Sequence, residues 1–242
     1  MISASKKNQV LCIIPARGGS KRIPRKNIKS FCGKPMIQRS IEAAFEAGCF
    51  SQIVVSTDDP EIAKLSLELN VLAPFKRPAE LADDYTDTRS VIRHAIDNMR
   101  TQDASLDHSD LPVCCLYATA PLVDAASIRG GLELLNDCDF VIPVTSYPHP
   151  VQRALRCSKS GKLDMLNPDK YSTRSQDLDH AWHDVGQFYW GRAAAWHSSV
   201  QPYEMYTRAI KIPRWRAQDI DTLEDWEHAE ALFNVRTLSK MS

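Results

Sequence analysis

Short apolar runs alternating with amphipathic stretches set the rhythm of this chain. Val10 to Ile14 reads as a buried strand that breaks at Pro15. From Pro35 to Ala47, residues Ile37, Ile41, Ala44 and Phe45 recur at helical spacing, with Pro35 suited to the first turn and Gly48 to the stop. Ile53 to Thr57 predicts a second strand, and Pro60 opens a helix in which Ile62, Leu65 and Leu69 share a face. Val71 to Phe75 predicts a third strand. A helix through Arg100 follows, with Thr86 or Thr88 as its cap and Val91, Ile92, Ala95, Ile96 and Met99 as its buried stripe; His94 on that helix reads as packing. Val113 to Tyr117 predicts a central strand, Ser127 to Leu135 a helix weakened by Gly130 and Gly131, and Phe140 to Val144 another strand. This alternation predicts an α/β, Rossmann-like fold, a mostly parallel sheet with helices on both faces. In such sheets ligands sit at the carboxyl ends of strands, which places Tyr117, Thr119 and Ala120 at a cleft.

From Tyr147 the rhythm changes. Alternating residues up to Cys157, a turn at 159–162 and the run Leu163 to Leu166 predict a β-hairpin excursion spanning 147–185. Thr207 to Pro213 predicts a late strand, and a last helix would bury Trp226, Ala229 and Phe233. The whole of 1–242 reads as a single domain.

Composition narrows the class. Apolar content of 43% and charged content of 25% are those of a soluble globular protein. The first ten residues are polar and no apolar run reaches transmembrane length, so neither a signal peptide nor a membrane partner is expected. The seven cysteines (Cys12, Cys32, Cys49, Cys114, Cys115, Cys138 and Cys157) form no C-x-x-C pair, which suits buried free thiols in a cytoplasmic protein.

Net charge is zero, yet Arg17 to Arg39 holds eight basic residues and no acidic one. Arg17, Lys21, Arg22, Arg25 and Lys26 surround Gly18, Gly19 and Ser20, where bare backbone can approach an anion closely. Neither G-x-x-x-x-G-K-[ST] nor G-x-G-x-x-G is present. Charges set among Gly and Pro after one strand, in a chain of zero net charge, point to a small polyanion rather than to nucleic acid. Arg77 either holds a phosphate or base edge or is a solvated loop residue. Far along the chain, Glu224 and Asp225 suit the first turn of the last helix. Asp219 and Asp221 precede that turn in an extended Asp-x-Asp and suit a hard divalent cation.

The stretch Ala16-Arg-Gly-Gly-Ser-Lys-Arg-Ile-Pro-Arg-Lys-Asn27, followed by Gly33-Lys-Pro-Met-Ile37, resembles the cytidylyltransferases that make CMP-activated nonulosonic acids, the CMP-sialic acid synthetase group. Phe75-Lys-Arg-Pro-Ala-Glu-Leu-Ala82, Arg174-Ser-Gln-Asp-Leu178 and Asp219-Ile-Asp-Thr-Leu-Glu-Asp225 continue the resemblance in the family's order, from about residue 10 to 233. Tyr117-Ala-Thr-Ala-Pro-Leu122 and His183-Asp-Val-Gly-Gln-Phe-Tyr-Trp-Gly191 are most similar to the family's pseudaminic acid branch; sialic acid enzymes carry glutamine where Tyr117 stands.

The resemblance implies a fold of the nucleotide-diphospho-sugar transferase type and transfer of cytidylyl from CTP to a nine-carbon sugar acid. It implies that Ala16, Arg17, Gly18, Gly19, Ser20, Lys21, Lys26, Asn27 and Arg77 bind CTP. Tyr117, Thr119, Tyr171, Arg174, Gln176, Gln187, Phe188 and Tyr189 would face the sugar. Asp219 and Asp221 would hold Mg2+, and with Arg17 and Lys21 would form the catalytic set. It further implies that the excursion packs against a second subunit in a homodimer, and that the product feeds glycosylation of surface polysaccharide or flagellin. Three alternatives remain: the same reaction on N-acetylneuraminic, legionaminic or 3-deoxy-octulosonic acid, a non-catalytic nucleotide-binding protein, and a different nucleotide such as UTP or GTP.

Overall fold

The computed structural model describes residues 9–241. The first half of the chain supplies four of the seven strands of the main sheet. β1 (Leu11–Pro15) is followed by a short hairpin, β2 (Ser30–Phe31) and β3 (Lys34–Pro35). Next come α1 (Met36–Ala47), β4 (Gln52–Ser56), α2 (Pro60–Glu68) and α3 (Thr88–Gln102). β5 (Pro112–Leu116), α4 (Ala125–Leu134) and β6 (Phe140–Ser146) complete this half. Gly48 closes α1 at φ 63°, a left-handed cap that glycine adopts without steric cost.

The second half opens with the excursion, where β7 (Leu155–Cys157) and β8 (Leu163–Met165) pair antiparallel. It returns through β9 (Trp182–Asp184), β10 (Phe188–Arg192), α5 (Ala193–His197), β11 (Thr207–Lys211) and α6 (Leu223–Met241). The seven-stranded sheet runs β11-β6-β10-β5-β1-β4, with β9 also paired to β6. β4, β1, β5, β6 and β11 point one way, while β9 and β10 run against them. β9 and β10 lie along the same strand, β6, at Val144–Ser146 and at Phe140–Val141. They are two halves of one reversed strand, interrupted at Gly186, whose φ is +65°.

Three apolar clusters hold the layers. One face of the sheet packs Ile37 and Ile41 of α1, Ile62 of α2 and Ile128 of α4 against Cys12, Ile14 and Trp190. The other packs Ile92, Ala95 and Ile96 of α3 and Trp196 of α5 against Leu11, Ile13 and Val113. A third, smaller cluster joins Ile23 and Phe31 to Ile220, Trp226 and Ala229. No helix among the described residues is long and apolar enough to cross a membrane.

Three expectations change. Val71 to Phe75 makes only single bridges, Val54 with Leu72 and Thr57 with Lys76, instead of a strand. Pro74 has no N–H to give and interrupts the ladder. Phe45 on α1 is 50% exposed rather than buried. Asp87, not a threonine, caps α3 by accepting from the Ser90 N–H. Gly130 and Gly131, which weakened the expected helix, sit inside α4 for a packing reason. A Cβ on Gly131 would come within 2.5 Å of Trp190 Cδ1.

Candidate active site

Local packing fixes the basic loop. Pro15 ends β1, and Gly18 then passes directly over Asp59, so a Cβ there would run into Asp59 Oδ2. Gly19 has open space instead. Asp59 caps α2 by accepting from the N–H groups of Glu61 at 2.9 Å and Ile62 at 3.1 Å, and it pairs with Arg25. That Arg25 contact holds the Asp59 carboxyl below the ordinary carboxylate range. Its contribution is therefore present above the unfolded-chain pKa of about 3.9 and is lost as pH falls through the lower folded value. Asp59→Ala should cost about 1–2 kcal/mol in urea unfolding at neutral pH, a gap that closes below about pH 4. An unchanged midpoint at neutral pH would dismiss the anchoring role.

The loop's own hydrogen bonds limit which groups face outward. The Gly18 N–H donates to Asp58 Oδ1 at 3.0 Å, and the Ser20 N–H to the Gly18 carbonyl at 3.1 Å. Ala16 is buried and its N–H donates to the Ser56 carbonyl. Asn27, also buried, donates from Nδ2 to the Arg17 carbonyl at 2.9 Å. Ala16 and Gly18 therefore shape the loop, while Asn27 both braces it and lines the cleft. The side chains of Arg17, Ser20, Lys21, Arg22, Lys26 and Arg77 line the cleft beside it, with Tyr117 and Thr119 at the end of β5. Arg77 is 3% exposed and donates to the carbonyl and Oγ of Ser56. Burial lowers its pKa to about 10, still charged at neutral pH.

The acidic stretch reaches the same place. Ile220 is fully buried in the third cluster beside Ile23 and Trp226, and in Asp219-Ile220-Asp221 that anchors the peptide between the two carboxylates. Lys26 Nζ donates to the Ile220 carbonyl at 2.5 Å and lies 3.9 Å from Asp221, while Arg22 pairs with Asp221 at 2.7 Å. Asp219 lies beside the interruption at Gly186; a Cβ there would stand 4.0 Å from its carboxylate. Burial and the neighbouring Asp221 charge push the Asp219 carboxyl up, and burial lowers the Lys26 ammonium. No group of three or more His, Cys, Asp or Glu suited to a metal occurs among the described residues. The arrangement offers two carboxylates facing a basic loop.

A second cavity adjoins the cleft at Thr88 and Tyr117. Tyr117 and Thr88 share a hydrogen bond of 2.7 Å, and the Tyr117 and Tyr189 rings meet edge to face. Tyr189 Oη donates to Asp184 at 2.6 Å and Tyr203 Oη to the same carboxylate at 3.4 Å. Burial raises the phenol pKa of both Tyr117 and Tyr189, keeping them neutral donors.

Two neighbours of Tyr189 are corrected out of the sugar-facing set. Phe188 is fully buried against α4, and Gln187 is 2% exposed and donates to the Arg216 carbonyl. Tyr171, Arg174 and Gln176 lie exposed on the excursion, outside the lining of both the basic cleft and the Tyr189 cavity. Sequence reasoning missed Asp83, Asp84, Thr88, Asp184 and Tyr203. The acidic pair Asp83-Asp84, at the end of the stretch that begins with the Arg77-Pro78 motif, was the one visible signal.

A family model described as Cytidylyltransferase matches residues 11–240. Pseudaminic acid cytidylyltransferase of Campylobacter jejuni is 42% identical over 93% of this chain and 96% of its own length. CMP-N,N'-diacetyllegionaminic acid synthase of Legionella pneumophila is 37% identical over 52% of this chain and 53% of its own. The solved structure of CMP:2-keto-3-deoxy-manno-octonic acid synthetase complexed with CTP has a TM-score of 0.67 at 17% identity, covering 94% of this chain and 99% of that one, which shows the shared fold. With nearly its whole length matched by that family model, and a basic loop in contact with the Asp219–Asp221 stretch, the chain belongs to the cytidylyltransferase family and is a nucleotidyltransferase.

Proposed function

We propose that this enzyme transfers cytidylyl from CTP to the anomeric hydroxyl of a nine-carbon sugar acid, with pseudaminic acid as the preferred acceptor, and releases pyrophosphate. One observation carries the reading. The basic loop after β1 and the Asp219–Asp221 stretch are in direct contact although Lys26 and Ile220 stand 194 positions apart. The acceptor is supported by the name of the 42%-identical relatives and by Tyr117 in place of glutamine at the mouth of the Tyr189 cavity.

In the proposed reaction the anomeric oxygen bonds to the α-phosphorus, the bond from that phosphorus to the bridging oxygen breaks, and the hydroxyl proton is released. Charge grows on the phosphoryl oxygens and on departing pyrophosphate. Arg17, Lys21 and Lys26 are placed to meet that charge, with Arg77 fixed beneath them, so positioning and electrostatics supply most of the rate. Asp219 and Asp221 fit Mg2+: their mutual repulsion and the burial of Asp219 are relieved by a cation, and Mg2+ takes one or two carboxylates plus phosphate oxygens. The chemistry Mg2+ supplies when bound there is neutralisation of phosphate charge. Tyr117, Thr119 and Tyr189 orient the sugar acid. Tyr171, Arg174 and Gln176 would reach it as part of a homodimer, an arrangement supported by the exposure of Leu155, Leu163 and Leu166 on the excursion.

The test is a panel of pseudaminic, legionaminic, N-acetylneuraminic and 3-deoxy-octulosonic acids with CTP, read by pyrophosphate release with Mg2+ and with chelator. Pseudaminic acid should give the highest kcat/KM, and chelator should abolish turnover. Preference for another acid would reassign the acceptor. Absence of pyrophosphate with every acid would sink the reading.

A further inference from the structure

Arg17 and Lys21 are not idle in the structure. Asp84 takes both: Arg17 Nη1 lies 2.7 Å from its Oδ1 and Lys21 Nζ 2.5 Å from its Oδ2. Arg17 Nη1 also donates to the Asp83 carbonyl at 2.7 Å. The Asp83 side chain accepts from the N–H groups of Tyr85 and Thr86 and from Thr86 Oγ1, which stiffens the turn that presents Asp84. Asp83 and Asp84 line the same cleft as Arg17 and Lys21, and a carboxylate sits where the two loop cations converge. An ion-pair donor cannot keep its protein partner and bind a phosphate with full strength at the same time.

We propose that Asp84 is a built-in competitor for the nucleotide's phosphates, weakening the hold of the site on CTP and returning to Arg17 and Lys21 when pyrophosphate departs. The inference rests on the nucleotide reading above and adds a residue to it. Asp84 is one-third exposed and the two pairs are surface pairs, so each contributes a modest increment. Its removal should shift polyphosphate affinity about threefold to tenfold rather than by orders of magnitude. Asp84 touches the two cations and not the reacting atoms, so it acts through them.

The experiment is calorimetric titration of the full chain and its Asp84→Asn variant with CTP, with inorganic pyrophosphate and with uncharged cytidine. Asp84→Asn should tighten CTP and pyrophosphate about threefold to tenfold and leave cytidine unchanged, while Asp84→Glu stays near the unaltered chain. In turnover, KM for CTP should fall without a rise in kcat, and inhibition by pyrophosphate should strengthen. Unchanged or weaker binding of CTP and pyrophosphate by Asp84→Asn would overturn the competitor role while leaving the nucleotide site intact. Failure of the unaltered chain to bind either ligand would instead overturn the nucleotide reading, and this inference with it.

Discussion

Replacing Asp219 by asparagine should lower kcat about a hundred- to a thousandfold, or roughly 3–4 kcal/mol of lost transition-state stabilisation. The fold should survive intact. Asp219 is held beside Asp221, and burial and that neighbour raise its carboxyl above the ordinary value. For an acid, a raised folded pKa means that ionisation opposes folding, so stability declines as pH climbs through the titration range. The neutral amide removes that penalty, and the variant should melt at or slightly above the temperature of the unaltered chain at neutral pH. Higher stability with collapsed turnover is what a site held under electrostatic strain produces. Pyrophosphate release and thermal melting read the two halves separately. Near-normal turnover would take Asp219 out of the reaction, and a large fall in melting temperature would show that its carboxylate is structural.

Trp190→Ala carries the largest expected cost to stability, about 3–5 kcal/mol. Trp190 is fully buried in the middle of β10, its ring stacks on Phe50 with centroids 5.4 Å apart, and its Nε1 donates to the Ile128 carbonyl at 3.0 Å. Gly131 in α4 exists to let that ring approach. Truncation leaves a cavity bounded by sheet and helix and removes the hydrogen bond that Nε1 adds at the Ile128 carbonyl. Since a domain of this kind is stable by about 5–15 kcal/mol, the variant should populate unfolded chain at moderate urea. A shift in the urea midpoint worth less than about 1 kcal/mol would mean that the layer collapses around the gap.

Much of the fold was legible because β1, β4, β5 and β6 are short apolar runs and α1 is punctuated by Pro35 and Gly48. The reversed direction of β10 was not legible, because strand direction is decided by the path of the connections and leaves no trace in residue period. Reading Gln187, Phe188 and Tyr189 as one wall neglected that neighbouring residues of a strand point to opposite faces. Tyr189 faces the cavity, and Phe188 therefore faces α4. The glycine loop was recognised, but Gly18 is glycine because Asp59 lies beneath it, a contact between positions 41 residues apart that spacing cannot reveal. The Asp84 bridge was hidden for the same reason: ion pairs between distant segments have no periodicity.

The third apolar cluster ties the two ends of the described fold together. Ile220 packs with Ile23, Phe31, Trp226 and Ala229 in one cluster, so the last helix shares in holding the Asp219–Asp221 stretch against the segment after β1. Closing so long a span is entropically costly and late. A chain cut before α6 would lose Trp226 and Ala229 from that cluster, and with them part of the support for Ile220 between the two carboxylates.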